Sequence, residues 1–463
     1  MILTKKGVSV IQTNKQTKRN LTLFAITWPI FIEIMLHMVM GNADTLMLSQ
    51  YSDDAVAAVG VANQIIVVII VMFGFIATGT SILIAQYLGA NEETKASQFS
   101  VVSLIANVVI GLLLSIVLFF FSETFLRMMN LPPELMDSAV VYLRIVGGFS
   151  FVQAVIMTIG AIIRSHGFTK DAMYVTVGMN ILNIFGNYLL IFGALGFPVL
   201  GVTGVAIATV ISRSIGVIVL LYLLYKRVNG NLPFSFLRTF PKYEVKSLLK
   251  IGIPTAGEHL SYNGSQLVIT YFIATMGTEA LTTKVYAQNI MMFILLFSIA
   301  IGQGTQILIG HQVGANKLTE AYKRCLRSLK IAIIVSTLMA IIFYLLGRPL
   351  FSIFTSNEDI ITLGSILLLL TIILEPGRAF NLVVINSLRA AGDVRFPVYM
   401  GILSMWGVAV TISYTLGIYF GLGLIGIWIA FILDEWLRGL LMLWRWRGRK
   451  WQQMSFVRKE GGK

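Results

Sequence analysis

The sequence predicts an all-α integral membrane protein with twelve transmembrane helices in two six-helix bundles related by a pseudo-twofold axis. Three observations predict it: an apolar composition, the length and spacing of the apolar runs, and an internal repeat held at one offset. Of 463 residues, 57% are hydrophobic and 12% charged, and the mean hydropathy is +0.83. A water-soluble chain of this size cannot cover so much apolar surface with polar groups, so lipid must solvate much of it.

Runs of about 20 apolar residues, enough to cross a bilayer, fall near 21–49, 56–88, 98–121, 138–162, 172–194 and 199–225. They resume near 246–274, 280–312, 326–347, 360–388, 397–420 and 423–444. The resulting organisation is an N-terminal segment 1–20, an N-lobe 21–225, a linker 226–245, a C-lobe 246–445 and a basic tail 446–463. The first run is long, contains Glu33 and Asp44 and lacks a small-x-small cleavage site, so it reads as a retained helix rather than a signal peptide.

With the N-terminus inside, 28 Lys and Arg lie on the inner side, three (Arg127, Lys284, Arg348) lie outside, and four (Arg144, Arg213, Arg378, Arg438) lie within spans. That asymmetry predicts a multi-pass plasma-membrane protein with both termini in the cytoplasm. The formal charge of +14 therefore does not indicate a nucleic-acid partner, because the basic residues sit between apolar runs. A single cysteine, Cys325, excludes an intramolecular disulfide and Cys-based metal clusters.

Shifting the chain against itself by 225 residues aligns its halves almost without gaps. GTSILIAQYLGAN (79–91) faces GTQILIGHQVGAN (304–316), and IIRSHGFTKDAMY (162–174) faces SLRAAGDVRFPVY (387–399). Trp28-Pro29 through Glu33 faces Ile253-Pro254 through Glu258. Each unit has an even number of spans, so both copies insert with the same orientation and enclose a central cleft suited to alternating access.

No GxxxxGKS/T loop occurs, and the longest internal polar segment (226–249) is too short for a nucleotide-binding domain. No HExxH, Ser/His or paired-Asp catalytic pattern is evident among the spans, so the chain does not read as an enzyme and no cofactor is expected. Uphill movement would then draw on an ion gradient or a separate energising subunit.

An ionisable group within a span costs roughly 2.5–3.5 kcal/mol on insertion scales and normally faces a partner, a cavity or a pathway. Glu375 with Arg378 and Asp434 with Arg438 stand at helix-neighbour spacing, which fits either ion pairs between helices or function. Glu33 and Asp44 have no Lys or Arg within their span, Glu258 has only Lys246 and Lys250 at the start of its own, and all three read as unpaired acids. Glu33, His37, Met40 and Asp44 follow i, i+4, i+7, i+11 and share a face, which suits a wet cavity accepting protons, metal ions or organic cations. For His37 the alternatives are a hydrogen bond to a neighbouring helix or a proton shuttle. For Glu33 and Glu258 they are residues bracketing the cleft or ties for backbone near Pro29 and Pro254.

With these residues in view, the whole chain resembles the MATE (multidrug and toxic compound extrusion) family of cation-coupled antiporters. The resemblance is carried by Asp44-Thr45, by the prolines of the first and seventh spans, and by LRAAGDVRFP (388–397) with its degenerate copy IRSHGFTKDA (163–172). NILNIFGNYLLIFG (180–193) and GVTGVAIATVISR (201–213) extend it. The resemblance implies an N-lobe cation-coupling site at Asp44, Asn183, Asn187 and Thr209, open to H⁺ or Na⁺. It carries Glu258 and Glu375 over only weakly, as acids of the seventh and tenth spans, while Glu33 and His37 stand as proton or substrate candidates on the shared helix face alone. Asn187-Tyr188 stands where many members have aspartate before proline; the missing carboxylate weakens the case for sodium, which favours several hard oxygens including charged ones.

The expected activity is export of amphiphilic, mainly cationic drugs or toxic compounds in exchange for H⁺ or Na⁺, by a protein working as a monomer in the lipid bilayer. The alternative is a flippase for lipid-linked saccharides, which calls for a cation-rich cleft.

Overall fold

A computed structural model describes residues 22–228, 233, 235–236 and 241–457. The expected N-terminal segment 1–20 lies outside the described residues, as do 229–232, 234 and 237–240 of the linker and 458–463 of the tail. Fourteen α-helices and no strand occur among the described residues.

The N-lobe begins with α1 (Leu23–Ser49), α2 (Asp53–Gly89) and α3 (Glu93–Met128). Its fourth span is a broken helix: α4 (Pro133–Tyr142), a π-helical turn Leu143–Gly147 and α5 (Ser150–Ser165), bent by 41°. The lobe closes with α6 (Thr169–Phe192) and α7 (Val202–Arg227). The C-lobe repeats this order with α8 (Lys242–Thr275), α9 (Thr278–Gly314), α10 (Leu318–Leu345), a short α11 (Gly347–Ser352), α12 (Glu358–Ala390), α13 (Arg395–Ser404) extended by π-helical turns to Tyr419, and α14 (Gly423–Arg447). These make the twelve predicted spans.

Nine helices are long and apolar enough to cross a membrane, and the bent pair makes a tenth. The other two, α8 and α14, have the length, at 34 and 25 residues, but carry too many polar and charged residues to read as spans on composition alone. Their polar residues Glu258, Ser265, Asp434, Glu435 and Arg438 are buried, so the polarity is spent on protein rather than on lipid. The helices α1, α8 and α12 run through Pro29, Pro254 and Pro376.

The repeat is visible in the backbone. Asn91 and Asn316 are left-handed (φ 59° and 58°), and Gly167 and Gly392 follow suit (φ 81° and 100°). A residue without Cβ is needed at Gly392 for a second reason, since a Cβ there would fall 1.9 Å from the Met454 carbonyl oxygen.

Each lobe has an apolar core, the N-lobe one extended by Leu248, Ile251, Val394 and Phe456 from the C-terminal half, and a smaller cluster joins α1 to α9. Ile26, Ile30 and Phe31 of α1 pack on Leu296, Ala300 and Leu308 of α9, with the Phe31 and Phe297 rings 4.2 Å apart. Nearer the ends of α2 and α9 the backbones touch. A Cβ on Gly314 would fall 1.8 Å from the Gln86 carbonyl oxygen, and one on Gly89 would fall 2.1 Å from that of His311. The chain after α14 seals the same end: Trp451 stacks on Trp446, and the Phe456 amide donates to Gln86 Oε1 at 2.8 Å. Hydrogen bonds between the lobes, from Gln86 and Tyr87 to the C-lobe and its tail and from His311 to Ser165, gather at this end, so the cleft is closed here.

Candidate functional site

The four residues expected to form the N-lobe site come from three helices and meet. Asn183 and Asn187 sit four residues apart on α6, so both turn the same way. Asn187 Nδ2 donates to Asp44 Oδ1 on α1 at 2.6 Å and lies 3.4 Å from Asn183 Oδ1. Asn183 Nδ2 donates to Thr209 Oγ1 on α7 at 3.3 Å. All four are buried, and Asn187 Oδ1 has no hydrogen-bond partner among the described residues. The result is a line of oxygens ending in one carboxylate that a single neutral amide holds.

Arg213, one helical turn beyond Thr209, supplies the opposing charge. It acts electrostatically on Asp44, on Tyr142 and on His37. Its Nε is buried without a hydrogen-bond partner among the described residues. Tyr142 donates to Asn63 Oδ1 at 3.1 Å, closing the far side. His37 makes no hydrogen bond among the described residues, so the expected tie to a neighbouring helix is absent; the Glu33, Arg164 and Arg213 charges all reach it.

Glu33 and Glu258 correct the sequence reading. They are not unpaired: Arg164 of α5 reaches Glu33 at 2.6 Å, and Arg389 of α12 pairs with Glu258. Each acid and its arginine are 131 residues apart, so the two ion pairs are repeat equivalents. A carboxylate in a low-dielectric interior is stabilised by the nearest guanidinium in space. Looking for partners within the same span could not find one on another helix. The signal was available, because both acids and both arginines recur at the 225-residue offset.

Glu375 pairs with Arg378 at 2.7 Å, as its spacing suggested, and Arg438 holds Asp434 at 2.6 Å. The structure joins these pairs through Glu435, which the sequence reading missed; it lies 3.0 Å from Arg438 and 3.6 Å from Arg378. Asn381 donates to Glu435 at 2.8 Å and Ser404 to Asp434 at 2.5 Å. Next to this network a cavity of about 30 Å³ is lined by Tyr262, Gln266, Gln288, Arg378, Asp434 and Arg438. It is large enough for one water. Three acids and two arginines leave the C-lobe centre with one acid in excess.

A family model, MatE, matches residues 29–189 and again 254–415, once per lobe at the spacing of the internal repeat. The chain belongs to the MATE family. YisQ of Bacillus subtilis (strain 168), described as an uncharacterized transporter, is 54% identical over 443 residues, covering 96% of this chain and 97% of YisQ. A probable multidrug resistance protein, NorM of Thermotoga maritima, is 28% identical over 440 residues, covering 95% of this chain and 94% of NorM. A solved structure of a multidrug resistance MATE family transporter in its outward-facing conformation superposes with a TM-score of 0.83 at 22% identity, covering 92% of this chain and 95% of that one. That likeness shows a shared MATE fold. These MATE relatives are transporters, not enzymes.

Proposed function

We propose that this MATE protein is a proton-coupled antiporter that exports amphiphilic, mainly cationic compounds across the plasma membrane. It would work as a monomer by alternating access, with both termini in the cytoplasm. The observation that carries the reading is the buried Asp44–Asn187–Asn183–Thr209 line. Relatives named as multidrug resistance proteins support the cargo class, and the inward bias of Lys and Arg supports the orientation. That orientation places the closed end of the cleft at the cytoplasm.

Charge balance favours the proton over sodium. With Asp44 ionised, its charge is met by Arg213, so a sodium ion would enter a site with no net negative charge and one carboxylate. A proton adds to Asp44 itself. Protonation weakens the carboxylate's charge-assisted bond from Asn187 and removes its attraction for a cationic cargo. The ion then drives the cycle only by binding one conformational state better than the other.

The flippase reading asks for free cations in the cleft. Of the span arginines Arg144, Arg213 and Arg378 that speak for it, Arg378 is held by Glu375 and the charge of Arg213 falls on Asp44, while Arg144 donates to Ser122; little free positive charge remains, which counts against it. The deciding experiment uses purified protein in liposomes, following efflux of a fluorescent organic cation under an imposed pH gradient or a sodium gradient. Transport driven by the pH gradient and abolished by Asp44→Asn is expected; transport driven by sodium alone, or an Asp44→Asn variant that transports as wild type, sinks the reading.

A further inference from the structure

Gln86 of α2 lies at the closed end of the cleft and uses both ends of its amide. Nε2 donates to the Ala390 carbonyl of α12 at 2.6 Å. Oε1 takes two hydrogen bonds from the chain beyond α14, one from Ser455 Oγ at 3.0 Å and one from the Phe456 amide at 2.8 Å. The Phe456 carbonyl accepts in turn from Tyr87 of α2 and Tyr243 of α8, each at 3.2 Å. The Phe456 ring is buried in the cluster that holds Tyr87, Phe99, Leu248 and Ile251, with the Lys250 ammonium 5.6 Å from its centre. On the way there the Met454 carbonyl crosses the α12–α13 turn at Gly392, in the space a Cβ would fill.

We propose that residues 454–457 form a latch: docked, they hold this end of the cleft shut, and they must leave the N-lobe before it opens. The segment is anchored at both ends, in different lobes. Trp451 is fully buried in the C-lobe core, stacks on Trp446 with ring centres 4.1 Å apart, and donates its indole N–H to the Trp446 carbonyl at 2.8 Å. Phe456, five residues on, is buried against the N-lobe. Five residues extend at most about 18 Å, so the lobes can part only within that reach while both anchors hold. Trp451 and Trp446 belong to one lobe and move together, so opening leaves their contact intact. The bonds to Gln86 and Tyr87 cross the boundary, and opening breaks them.

The latch is coupled to the direct bond between α2 and α12. The two donors on Oε1 hold the Gln86 amide in the orientation that aims Nε2 at Ala390, so losing the tail weakens that bond as well. Release strands no charge. It frees an amide, three hydroxyls and main-chain atoms, which water satisfies, and exposes one ring. The docked state is therefore favoured but reversible, as a gate that turns over in every cycle requires. Opening toward the cytoplasm rests on the proposed orientation and alternating access; the docking rests on the contacts alone.

Glu93→Cys on α3 and Thr319→Cys on α10, both exposed at this end, place one spin label on each lobe in a Cys325→Ser background. The distance between them is measured in liposomes at one fixed pH, without cargo or gradient. Truncation after Gln453 removes the bonds to Gln86, Tyr87 and Tyr243 together with the Phe456 ring, and should raise the long-distance population at least about tenfold. Phe456→Ala should give a smaller rise in the same direction, and it carries the test if the truncated chain folds poorly. Truncation after Val457 keeps every docked contact and should match the wild type. An unchanged distribution in the chain ending at Gln453 or in Phe456→Ala overturns the latch, as does an equal rise in the chain ending at Val457. Because the pH is fixed and no ion or cargo moves, protonation of Asp44 does not enter the readout, and failure of the antiport reading leaves the result standing.

Discussion

Arg213 and Arg438 occupy the same position in the two copies of the repeat, yet they live in different electrostatic worlds. Arg438 holds Asp434 and Glu435, within its own helical turn. The residues equivalent to those acids in the N-lobe are Thr209 and Val210, so Arg213 has no acid beside it and its charge falls on Asp44 of another helix. Asp44 in turn has Ile269 as its counterpart. Duplication kept what fastens helices together, namely the pairs Glu33–Arg164 and Glu258–Arg389, and let the polar centres diverge. A centre laced by several ion pairs resists rearrangement, because breaking any one strands a buried charge. A centre whose carboxylate is held by one neutral amide can be switched by a single proton.

The largest effect should separate the two centres by activity. Asp44→Asn is expected to reduce pH-gradient-driven efflux in liposomes to the protein-free background, whereas Asp434→Asn should retain measurable transport; the reverse result breaks the division of labour. The next effect is on stability. Arg438→Ala strands Asp434 and Glu435 and should destabilise the C-lobe by about 3–5 kcal/mol, read as a lower thermal midpoint in detergent. Arg213→Ala breaks no hydrogen bond among the described residues and should lower the midpoint much less. Equal losses would mean that Arg213 is tied as firmly as its copy.

The conserved fastenings should instead behave alike. Glu33→Gln and Glu258→Gln each remove a charge-assisted bond worth about 1.5–3 kcal/mol and should lower the midpoint by similar amounts. Unequal shifts would show that one pair does more than fasten. Thr209→Val removes one acceptor from the N-lobe line and should cost about 1 kcal/mol, with a modest loss of coupled efflux and no change in the C-lobe.

How far each feature could be read in advance depends on its range along the chain. Glu375–Arg378 and Asp434–Arg438 were readable because helix geometry alone brings residues three or four apart together. The Glu33–Arg164 pair left only an indirect trace, the recurrence of both residues at the 225-residue offset, and the contact itself needs α1 placed beside α5. The N-lobe site lay between these cases: family motifs pointed to Asp44, Asn183, Asn187 and Thr209, while the order of hydrogen bonds among them emerged only from the packing of α1, α6 and α7.

By itself the sequence determined the solvent, the helices and their duplication. Hydropathy and the 225-residue offset depend on composition and spacing, and lipid forces every backbone group of a span into a helix. Only the tertiary structure decided which acids are neutralised and which end of the cleft is shut. Charge pairing in a low dielectric is set by distance in space, and a carbonyl accepting from Gln86 or His311 leaves no mark on the residue that carries it.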